Sequence, residues 1–570
     1  MTFQSSLQWA SQGWRGPIIA ALLALVAGLP GVFAMPPLDR DESRYAQATA
    51  QMLESGDFVV IRFQEEPRFK KPVGVHWLQA ASVAAVSAAE DRQIWAYRLP
   101  SLLGAMLAAG ACAWGAAALF GPLAGLFAGS LLGSSFLLST EAFIAKTDAL
   151  LAGTVTLALA ALARLYMARR GGAPAGRPVK LVFWLGLSGA LLIKGPVGLA
   201  VIALTIAALV LWERRIDWLK DLGLIWGPIL MLALVGPWAA AVTVATDGAF
   251  WTTALMGDLA PKLVGGHETH GALPGYHLLL LGLLAFPMTL LIPAGLAHGW
   301  RNRAEPAVRF ALCWLIPTWI LFELAPTKLV HYTLPAYGAL AWLAAAALTG
   351  AIATPWRWIG GVWAAVAGFV FAAVAFYLVS RFGGAADVTA AAVAGGLLAA
   401  AGFIGAFMLV NKAARGGMVA AIGLAVLGHA AFAAGLAPGL SPLWLSERVT
   451  RILESEQLLP RQGAPAPVML AGYAEPSLVF ALGTTTELGD GAEAAAAIAD
   501  FRTAVVEDRQ EEAFRKALDA RGLEVRQIRE VSGLNYSRGA ASRLRIYVNA
   551  APRPAQVRAL PPGVEPGVAP

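Results

Sequence analysis

Long apolar segments separated by short polar ones make up most of the first 440 residues. A helix needs about 20 apolar residues to cross the hydrocarbon layer of a membrane. The pattern predicts about thirteen transmembrane helices, at residues 16–34, 95–119, 121–138, 148–168, 181–193, 196–212, 221–245, 274–298, 309–323, 333–351, 358–380, 388–410 and 418–438. We therefore expect a polytopic, all-α membrane protein up to residue 440.

Three segments need separate interpretation. Residues 181–212 contain Lys194-Gly195-Pro196 at their centre, and both the residue before proline and a central lysine disfavour one continuous span. The sequence thus predicts two short spans that meet there. Residues 75–89 are too short and too mildly apolar to span, which favours a helix on the membrane surface. Residues 42–55 predict a helix capped by Asp41 and ended by Gly56.

The pattern changes after residue 440. Short β-rich runs alternate with helical stretches at 490–501 and 509–521, which indicates a small α/β domain. The last ten or so residues are expected to be disordered. We thus predict two domains, a transmembrane domain at 1–440 that includes a long loop at 35–93, and a soluble domain at 441–570.

Composition and charge add an orientation. Residues are 58% hydrophobic and only 14% charged, against about 25% charged in soluble proteins. The basic residues of the short loops concentrate on one side of the predicted spans, which puts the N-terminus inside and both the 35–93 loop and the soluble domain outside. Because the net charge of +7 is scattered over these loops, no nucleic-acid partner is expected. Cys112 and Cys313 lie in apolar segments and suggest neither a disulfide nor a metal site.

Several polar stretches share the outer face on this topology, although they are spread over almost 300 residues. They are residues 39–44, 65–74, 139–151, 193–196, 257–271 and 326–335. Their common side predicts one outward-facing pocket. Lysine and arginine bind phosphate, and a carboxylate deprotonates an attacking hydroxyl. Because an outer compartment lacks nucleotide sugars, the chemistry suggests transfer of a group from a polyprenyl phosphate.

Each of these motifs also has a structural interpretation. Asp41 and Asp148 are suitable helix caps. Lys70 and Lys71 suit snorkelling anchors at the membrane surface. The remaining candidates have equally plain alternatives: interfacial anchors for Lys328, His331 and Tyr332, and a hydrated loop for His267, Glu268 and His270.

The motifs resemble a known family when they are taken together. DRDESRYAQATAQMLESGDF, PRFKKPVGVHW, KTDALL, IKGP and KLVHYTLP are similar to segments of the lipid A 4-amino-4-deoxy-L-arabinose transferase family. That family belongs with the protein O-mannosyltransferase-like membrane glycosyltransferases of the GT-C fold. The resemblance covers residues 16–351, and GYAEPSLVF and GLNYSRG in the tail are similar to stretches of bacterial members.

The resemblance implies an inverting glycosyltransferase of the bacterial inner membrane. It would move a sugar from undecaprenyl phosphate to an acceptor facing the periplasm, which we expect to be lipid A or lipopolysaccharide core. The implied catalytic residues are Asp41, Glu42 and Asp148. The implied donor-phosphate ligands are Arg62, Arg68, Lys70, Lys71, Lys262, Lys328 and Tyr332. The implied substrate-binding residues are Arg44, Tyr45, Lys194, Asp258 and His331. A divalent metal is compatible with the family, and His267 and Glu268 are its candidate ligands.

Two departures from the family pattern bear on the sugar. Lys70 stands where the aminoarabinose enzymes have an acid, and Asp258 and Lys262 stand where a histidine and an arginine are more usual. The added positive charge at Lys70 favours a neutral hexose or an acidic uronic sugar over an amino sugar.

Two alternatives remain for the function. One is a mannosyltransferase that acts on secreted protein. The other is a lipid-linked sugar flippase, which should carry polar residues through the membrane's depth and often has inverted repeats. Residues 95–138 and 358–438 are nearly free of charge, which favours the enzyme.

Overall fold

A computed structural model describes residues 2–261 and 272–553. The chain divides into two compact units, Met1–Trp444 and Leu445–Pro570, close to the predicted boundary at residue 440. The terminal residues predicted to be disordered lie outside the described part of the chain.

The first unit is almost entirely helical. Its first ten helices are α1 (Phe3–Ser11), α2 (Arg15–Ala34), α3 (Asp41–Ser55), α4 (Gly74–Val86), α5 (Ile94–Phe120), α6 (Pro122–Gly133), α7 (Phe136–Glu141), α8 (Asp148–Ala168), α9 (Arg177–Lys194) and α10 (Pro196–Glu213). Those that follow within the described residues are α11 (Trp226–Ala245), α12 (Ala249–Thr252, continued by a π-helical segment, Thr253–Leu259), α13 (Tyr276–Leu284), α14 (Ile292–Arg301), α15 (Pro306–Leu324), α16 (Tyr337–Thr349), α17 (Thr354–Phe382), α18 (Asp387–Val410) and α19 (Ala414–Gly439). A two-stranded hairpin, β1 (Arg62–Phe63) and β2 (Glu66–Pro67), separates α3 from α4.

The predicted polytopic helical architecture is confirmed. In the part of the chain that the structure describes, nine helices are long and apolar enough to cross a membrane. These are α2, α5, α8, α10, α11, α15, α17, α18 and α19. The other four predicted spans are less regular: α6 and α16 are short, α9 carries basic residues at both ends, and residues 274–298 are divided between α13 and α14. The predicted count of thirteen spans therefore includes four segments that do not form one helix both long and apolar enough to cross a membrane.

The predicted break at Gly195 is also confirmed. α9 ends at Lys194 and α10 begins at Pro196. Gly195 has a φ of 60°, a backbone conformation that side chains other than glycine rarely adopt. α4 has only 13 residues, which is too short to span a membrane.

Consecutive spans run in opposite directions, so the connecting segments fall at two ends of the helical bundle. We call one the polar end; it includes residues 35–93, 134–147, 194–196 and 325–336. We call the other the opposite end; it includes residues 169–176, 214–225, 302–305, 350–353 and 411–413. Of the stretches predicted to face outward, the polar end contains residues 39–44, 65–74, 139–147, 194–196 and 326–335, whereas residues 262–271 lie outside the described residues.

Small residues hold the first helices together. Ala20 and Ala24 of α2 pack against Ala109 and Ala113 of α5. A Cβ atom added to Gly129 of α6 would come within 2.6 Å of atoms in both of these helices. Membrane helices associate through such close backbone packing, because lipid gives them no hydrophobic driving force.

The second unit contains a five-stranded mixed sheet, which confirms the predicted α/β tail. Its strands are β3 (Met469–Ala471), β4 (Glu487–Gly489), β5 (Ala504–Glu507), β6 (Val525–Asn535) and β7 (Ala540–Asn549). The order is β4-β3-β5-β7-β6, with β3 parallel to β4 and β5, and β7 antiparallel to β5 and β6. Four helices accompany it: α20 (Leu445–Ser455), α21 (Pro476–Leu482), α22 (Gly491–Ala499) and α23 (Glu511–Arg521).

Candidate active site

Asp41 is the first residue of α3, at the polar end. The residue before it, Arg40, occupies the N-cap position with a φ of 64°, so the prediction that Asp41 itself is the cap was wrong by one position. The side chain of Asp41 is 54% exposed, and its Oδ1 atom lies 3.7 Å from Nη2 of Arg68. Asp41 is therefore a carboxylate open to solvent with a cation beside it.

Glu42, in contrast, is sealed inside the protein. Its carboxylate accepts hydrogen bonds at 2.8 Å from both Nε and Nη2 of Arg98, and both side chains are fully buried. The backbone amides of Leu38 and Ala145 donate to the same carboxylate, each at 2.8 Å. Because four donors already hold it, we replace the catalytic role expected for Glu42 with that of fixing the first turn of α3.

Arg98 was not among the predicted site residues. Its Nη1 and Nη2 atoms donate to carbonyls at the end of α2 and just beyond, including those of Met35 at 2.6 Å and Pro36 at 2.9 Å. It thus joins the end of α2, the start of α5 and the start of α3. The signal was present in the sequence, because a lone arginine in an apolar stretch is costly unless it is paired.

Two stacked rings, those of Tyr45 and His76, support Arg68. Its guanidinium lies 4.9 Å from the ring centroid of Tyr45, and Tyr45 stacks on His76 at 5.3 Å. Nδ1 of His76 lies 2.8 Å from the hydroxyl of Thr49. Burial, assisted by the charge of Arg68, lowers the pKa of His76 to about 3. A neutral imidazole therefore lies beneath the tyrosine, and the stack holds Arg68 next to Asp41.

Lys71 meets Asp258 across 187 residues of sequence. Nζ of Lys71 lies 2.5 Å from Oδ2 of Asp258, and their side chains are 21% and 8% exposed. A hydrophobic cluster that contains Val73, Trp238 and Phe250 lies beside this contact. The second predicted cation of the site is thus held at one position by an acid from a π-helical segment that is distant in sequence.

Five titratable side chains form a second group at the polar end: Glu141, Lys146, Asp148, Lys194 and His331. Nζ of Lys146 lies 3.0 Å from Oε2 of Glu141 and 3.5 Å from Oδ2 of Asp148. Asp148 also accepts a hydrogen bond from Lys194. Nε2 of His331 lies 3.4 Å from Oδ2 of Asp148. Lys146 and Glu141 were not predicted as site residues, although both lie within the outward-facing stretch 139–151.

The environment of this five-residue group sets its protonation. Burial lowers the pKa of His331 well below its usual value, so the ring is neutral. Because an ammonium can only donate, Lys146 donates to Nδ1 of His331 at 3.3 Å and Nε2 carries the hydrogen that faces Asp148. Burial also raises the pKa of Glu141 to about 7. Burial opposes the charge of Lys146, yet Glu141 and Asp148 raise its pKa overall.

The same group decides how well a metal would fit. Ligand atoms of Glu141, Asp148 and His331 lie within 4.8 Å of one another. The Lys146 ammonium lies within 3.5 Å of all three side chains, so it already occupies the position of a cation. These residues would hold a divalent ion only if Lys146 withdrew. The predicted metal ligands His267 and Glu268 lie outside the described residues.

Tyr45 connects the Asp41 region with the five-residue group electrostatically. Burial raises the pKa of Tyr45, and the carboxylates of Asp41 and Asp148 both raise it further. Asp41 also raises the pKa of Lys146. Tyr45 therefore lies within electrostatic range of both acids.

The remaining predicted residues differ in their burial and in their contacts. Lys328 is buried and donates to the carbonyls of Ala272 and Ala325, each at 2.8 Å. These contacts suit a lysine that joins two backbone segments better than one that binds phosphate. Tyr332 presents its ring to Lys194, with Nζ 5.6 Å from the centroid. Three cations are exposed and form no ion pair within the described residues: Arg44, Arg62 and Lys70. Lys262 lies outside those residues.

Comparison with known proteins identifies relatives of this chain. Residues 18–251 match the family model described as dolichyl-phosphate-mannose-protein mannosyltransferase. The chain is 30% identical over 328 residues to the undecaprenyl phosphate-alpha-4-amino-4-deoxy-L-arabinose arabinosyl transferase of Aeromonas salmonicida, covering 55% of this chain and 58% of that protein. The Yersinia enterocolitica protein of the same name is 30% identical over 341 residues, covering 58% and 59%. The chain thus matches less than two thirds of the length of these curated relatives.

Solved structures extend the match to nearly the whole fold. The crystal structure of ArnT from Cupriavidus metallidurans bound to undecaprenyl phosphate is 19% identical, with a TM-score of 0.72 and coverage of 93% of this chain and 97% of that chain. An archaeal oligosaccharyltransferase from Archaeoglobus fulgidus has a TM-score of 0.51 at 13% identity, covering 90% and 71%. The predicted resemblance is therefore confirmed, and the chain has the GT-C fold that it shares with the ArnT structure.

Proposed function

We propose that this protein is an inverting glycosyltransferase that moves a sugar from undecaprenyl phosphate to a periplasm-facing glycolipid, lipid A or lipopolysaccharide core. The polar end would face the periplasm, together with the 35–93 loop and the soluble unit. The observation that carries the proposal is one exposed acid, Asp41, with the guanidinium of Arg68 beside it, in the same connecting segment that supplies Lys71. The likeness to proteins named as undecaprenyl-phosphate sugar transferases supports the same reaction.

In the proposed reaction, the acceptor hydroxyl attacks the anomeric carbon of the donor sugar. Asp41 accepts the hydroxyl proton as the new carbon–oxygen bond forms. The bond between the anomeric carbon and the phosphate oxygen breaks, and the electron pair leaves with undecaprenyl phosphate. Lys71 and Arg68 stabilise the negative charge that develops on that oxygen, because cations that are already in position act on the charge of a transition state without reorganising.

Lys71 reaches the donor phosphate by leaving or sharing Asp258. A phosphate oxygen competes well with one carboxylate for an ammonium that has three donors. Displacement of Lys71 would leave the Asp258 carboxylate facing the sugar. The position of Asp258 thus weakens the charge argument from Lys70 against an amino sugar, because an acid is available beside the phosphate site.

The five-residue group is proposed to orient the acceptor. Asp148 is held by Lys194, Lys146 and His331, which suits an acid that positions a hydroxyl rather than one that receives a proton. A flippase is less well supported, because in the described residues the ion pairs of the helical unit lie at the two ends of the bundle.

The proposal is tested by comparing lipopolysaccharide masses from cells with and without the gene. We expect the loss of one defined sugar mass, restored by the purified protein when it is given undecaprenyl-phosphate sugar. An unchanged mass for every envelope glycan, with altered transport of the lipid-linked sugar across the membrane, would favour the flippase instead.

A further inference from the structure

A second polar cluster lies in the soluble unit, at one edge of its sheet. β3 and β5 are parallel, so their carboxyl ends meet at this edge. β7 runs antiparallel to β5 and to β6, so β7 begins and β6 ends there as well. Six side chains from these segments converge: Glu475, Glu507, Arg509, Asn535, Arg538 and Ser542.

The position between the carboxyl ends of β3 and β5 is a topological switch point. Met469, Ala471, Ala504 and Val506 pack in one core with α22 and α23, the helix that follows β5. Side chains alternate along a strand, so the buried residues between them face the other side. There α21, the helix that follows β3, packs on α20, which contacts β6. In open α/β sheets, ligands bind where the chain leaves adjacent strands toward opposite faces.

Two buried acids form the inner part of the cluster. The side chains of Glu475 and Glu507 are only 8% and 4% exposed. Nδ2 of Asn535 donates to Oε1 of Glu475 at 2.8 Å, and Oγ of Ser542 donates to Oε1 of Glu507 at 2.7 Å. The acids are thus held in place by neutral donors, and each carboxylate has lone pairs for further hydrogen bonds.

Two arginines form the outer part. Arg509 is 59% exposed, and its Nε donates to Oε2 of Glu507 at 3.0 Å. Arg538 is 41% exposed and makes long contacts: 3.5 Å to the Gly472 carbonyl, 3.8 Å to Glu507 and 3.9 Å to Glu475. The distances to Glu507 and Glu475 are longer than those of a hydrogen bond. Arg538 therefore presents donors toward the crevice without being tightly bound to either acid.

The chemistry of this cluster suits hydroxyl groups. Each sugar hydroxyl both donates and accepts, so a pair of them satisfies a carboxylate and a guanidinium at once. The two acids balance the two arginines, which leaves the cluster near neutrality. A free phosphate would be attracted by the arginines but repelled by two carboxylates at the same place.

We propose that the soluble unit has its own binding site for a neutral saccharide, at the carboxyl ends of β3 and β5, with Glu475, Glu507, Arg509 and Arg538 as its ligands. The proposal does not depend on the transfer reaction. It gives a role to the GYAEPSLVF and GLNYSRG motifs, which supply Glu475, Asn535 and Arg538.

Saturation-transfer NMR on the full-length protein in lipid nanodiscs tests the site. The probe is a lipid-free, dephosphorylated oligosaccharide prepared from lipopolysaccharide. We expect sugar signals with the unaltered protein and with Asp41→Asn, at least a tenfold weaker affinity with Arg538→Ala or Glu475→Gln, and no change with Arg526→Ala, an exposed arginine of β6. If Arg538→Ala does not fold, Arg538→Lys serves, because it keeps the charge but loses the planar donors.

Three results would overturn the saccharide site. The first is an absence of sugar signals with the unaltered, folded protein, and the second is signals that persist undiminished in both variants. The third is displacement of the probe by inorganic phosphate at equal concentration, which would make this an anion site. Because binding is read in Asp41→Asn as well, failure here and failure of the proposed transfer are distinguishable.

Discussion

The two ends of the helical bundle use the same charged residue types for different purposes. At the opposite end, Glu213 accepts hydrogen bonds from Tyr166, Arg170 and, at 2.6 Å, Arg309. This one acid joins α8, α10 and α15, and its side chain is only 6% exposed. At the polar end, Asp41 is exposed, and among the described residues its ion-pair partner is Arg68, at 3.7 Å. A charge that is fully paired holds helices together, whereas one that is left open is available to a substrate.

The polar end also contains both kinds of charge within two adjacent residues. Glu42 resembles Glu213, because buried arginine and backbone donors surround it. Asp41 has no such enclosure. The comparison teaches that burial and partner number separate a structural acid from a reactive one even where the sequence places them side by side.

The largest expected effect comes from Asp41→Asn. Removing the proposed base should lower the transfer rate by about 10³-fold, within the usual range for general base catalysis, while the protein folds and binds donor normally. The measurement is transfer of labelled sugar in proteoliposomes. Glu65→Gln, an exposed acid of the same loop, is the matched control and should keep full activity. Turnover near the normal rate in Asp41→Asn would remove its assigned role.

Glu42→Gln and Glu213→Gln should separate the two structural acids. Breaking a buried ion pair costs about 3–5 kcal/mol, so both variants should melt at lower temperature in detergent. Only Glu42→Gln should also lower activity per folded molecule, because it releases the first turn of α3. Equal activity losses in the folded fractions of both variants would contradict the distinction between the ends.

A smaller effect is expected for Lys71→Ala. A hydrogen bond to a charged group contributes about 1.5–3 kcal/mol, so kcat/KM for the donor should fall roughly 10- to 150-fold. Lys220→Ala, an exposed lysine at the opposite end, should have no effect. If both lysine variants behave alike, donor phosphate does not bind at the polar end.

The smallest effect concerns pH. The pKa of Glu141 is raised to about 7 by burial, so the folded protein binds more protons than the unfolded chain between the usual glutamate pKa and 7. Its contribution to stability therefore falls as pH rises through that window. Between pH 5 and 8, the melting temperature of Glu141→Gln should therefore fall less with rising pH than that of the unaltered protein. Identical pH profiles for Glu141→Gln and the unaltered protein would rule it out.

The sequence predicted most of the fold because long apolar runs leave few choices in a membrane. The break at Gly195 followed from a lysine and a proline within three residues, and the structure ends and restarts the helix there. The span at 274–298 was predicted as one helix, although it is interrupted between Leu284 and Ile292. The hydrophobicity of this segment is uniform, so a count of apolar residues does not reveal the break.

The site was only partly predictable, since its roles depend on long-range contacts. Residue type and a shared side were enough to select Asp41, Lys71 and Asp148. The difference between Asp41 and Glu42 depends on Arg98, 56 residues away. Likewise, the loose metal pattern at His267 gave no indication that Lys146 would fill the space among three possible ligands, one of which, His331, is 185 residues away from it in sequence.

The most direct test of the central claim is an experimental structure of the protein with undecaprenyl phosphate bound. Our account predicts the phosphate at the polar end, about 3 Å from Nζ of Lys71, with Asp258 moved away from that lysine and Asp41 facing the position of the sugar. A phosphate bound among Arg170, Arg309 and Glu213 at the opposite end, with Lys71 still paired to Asp258, would contradict it.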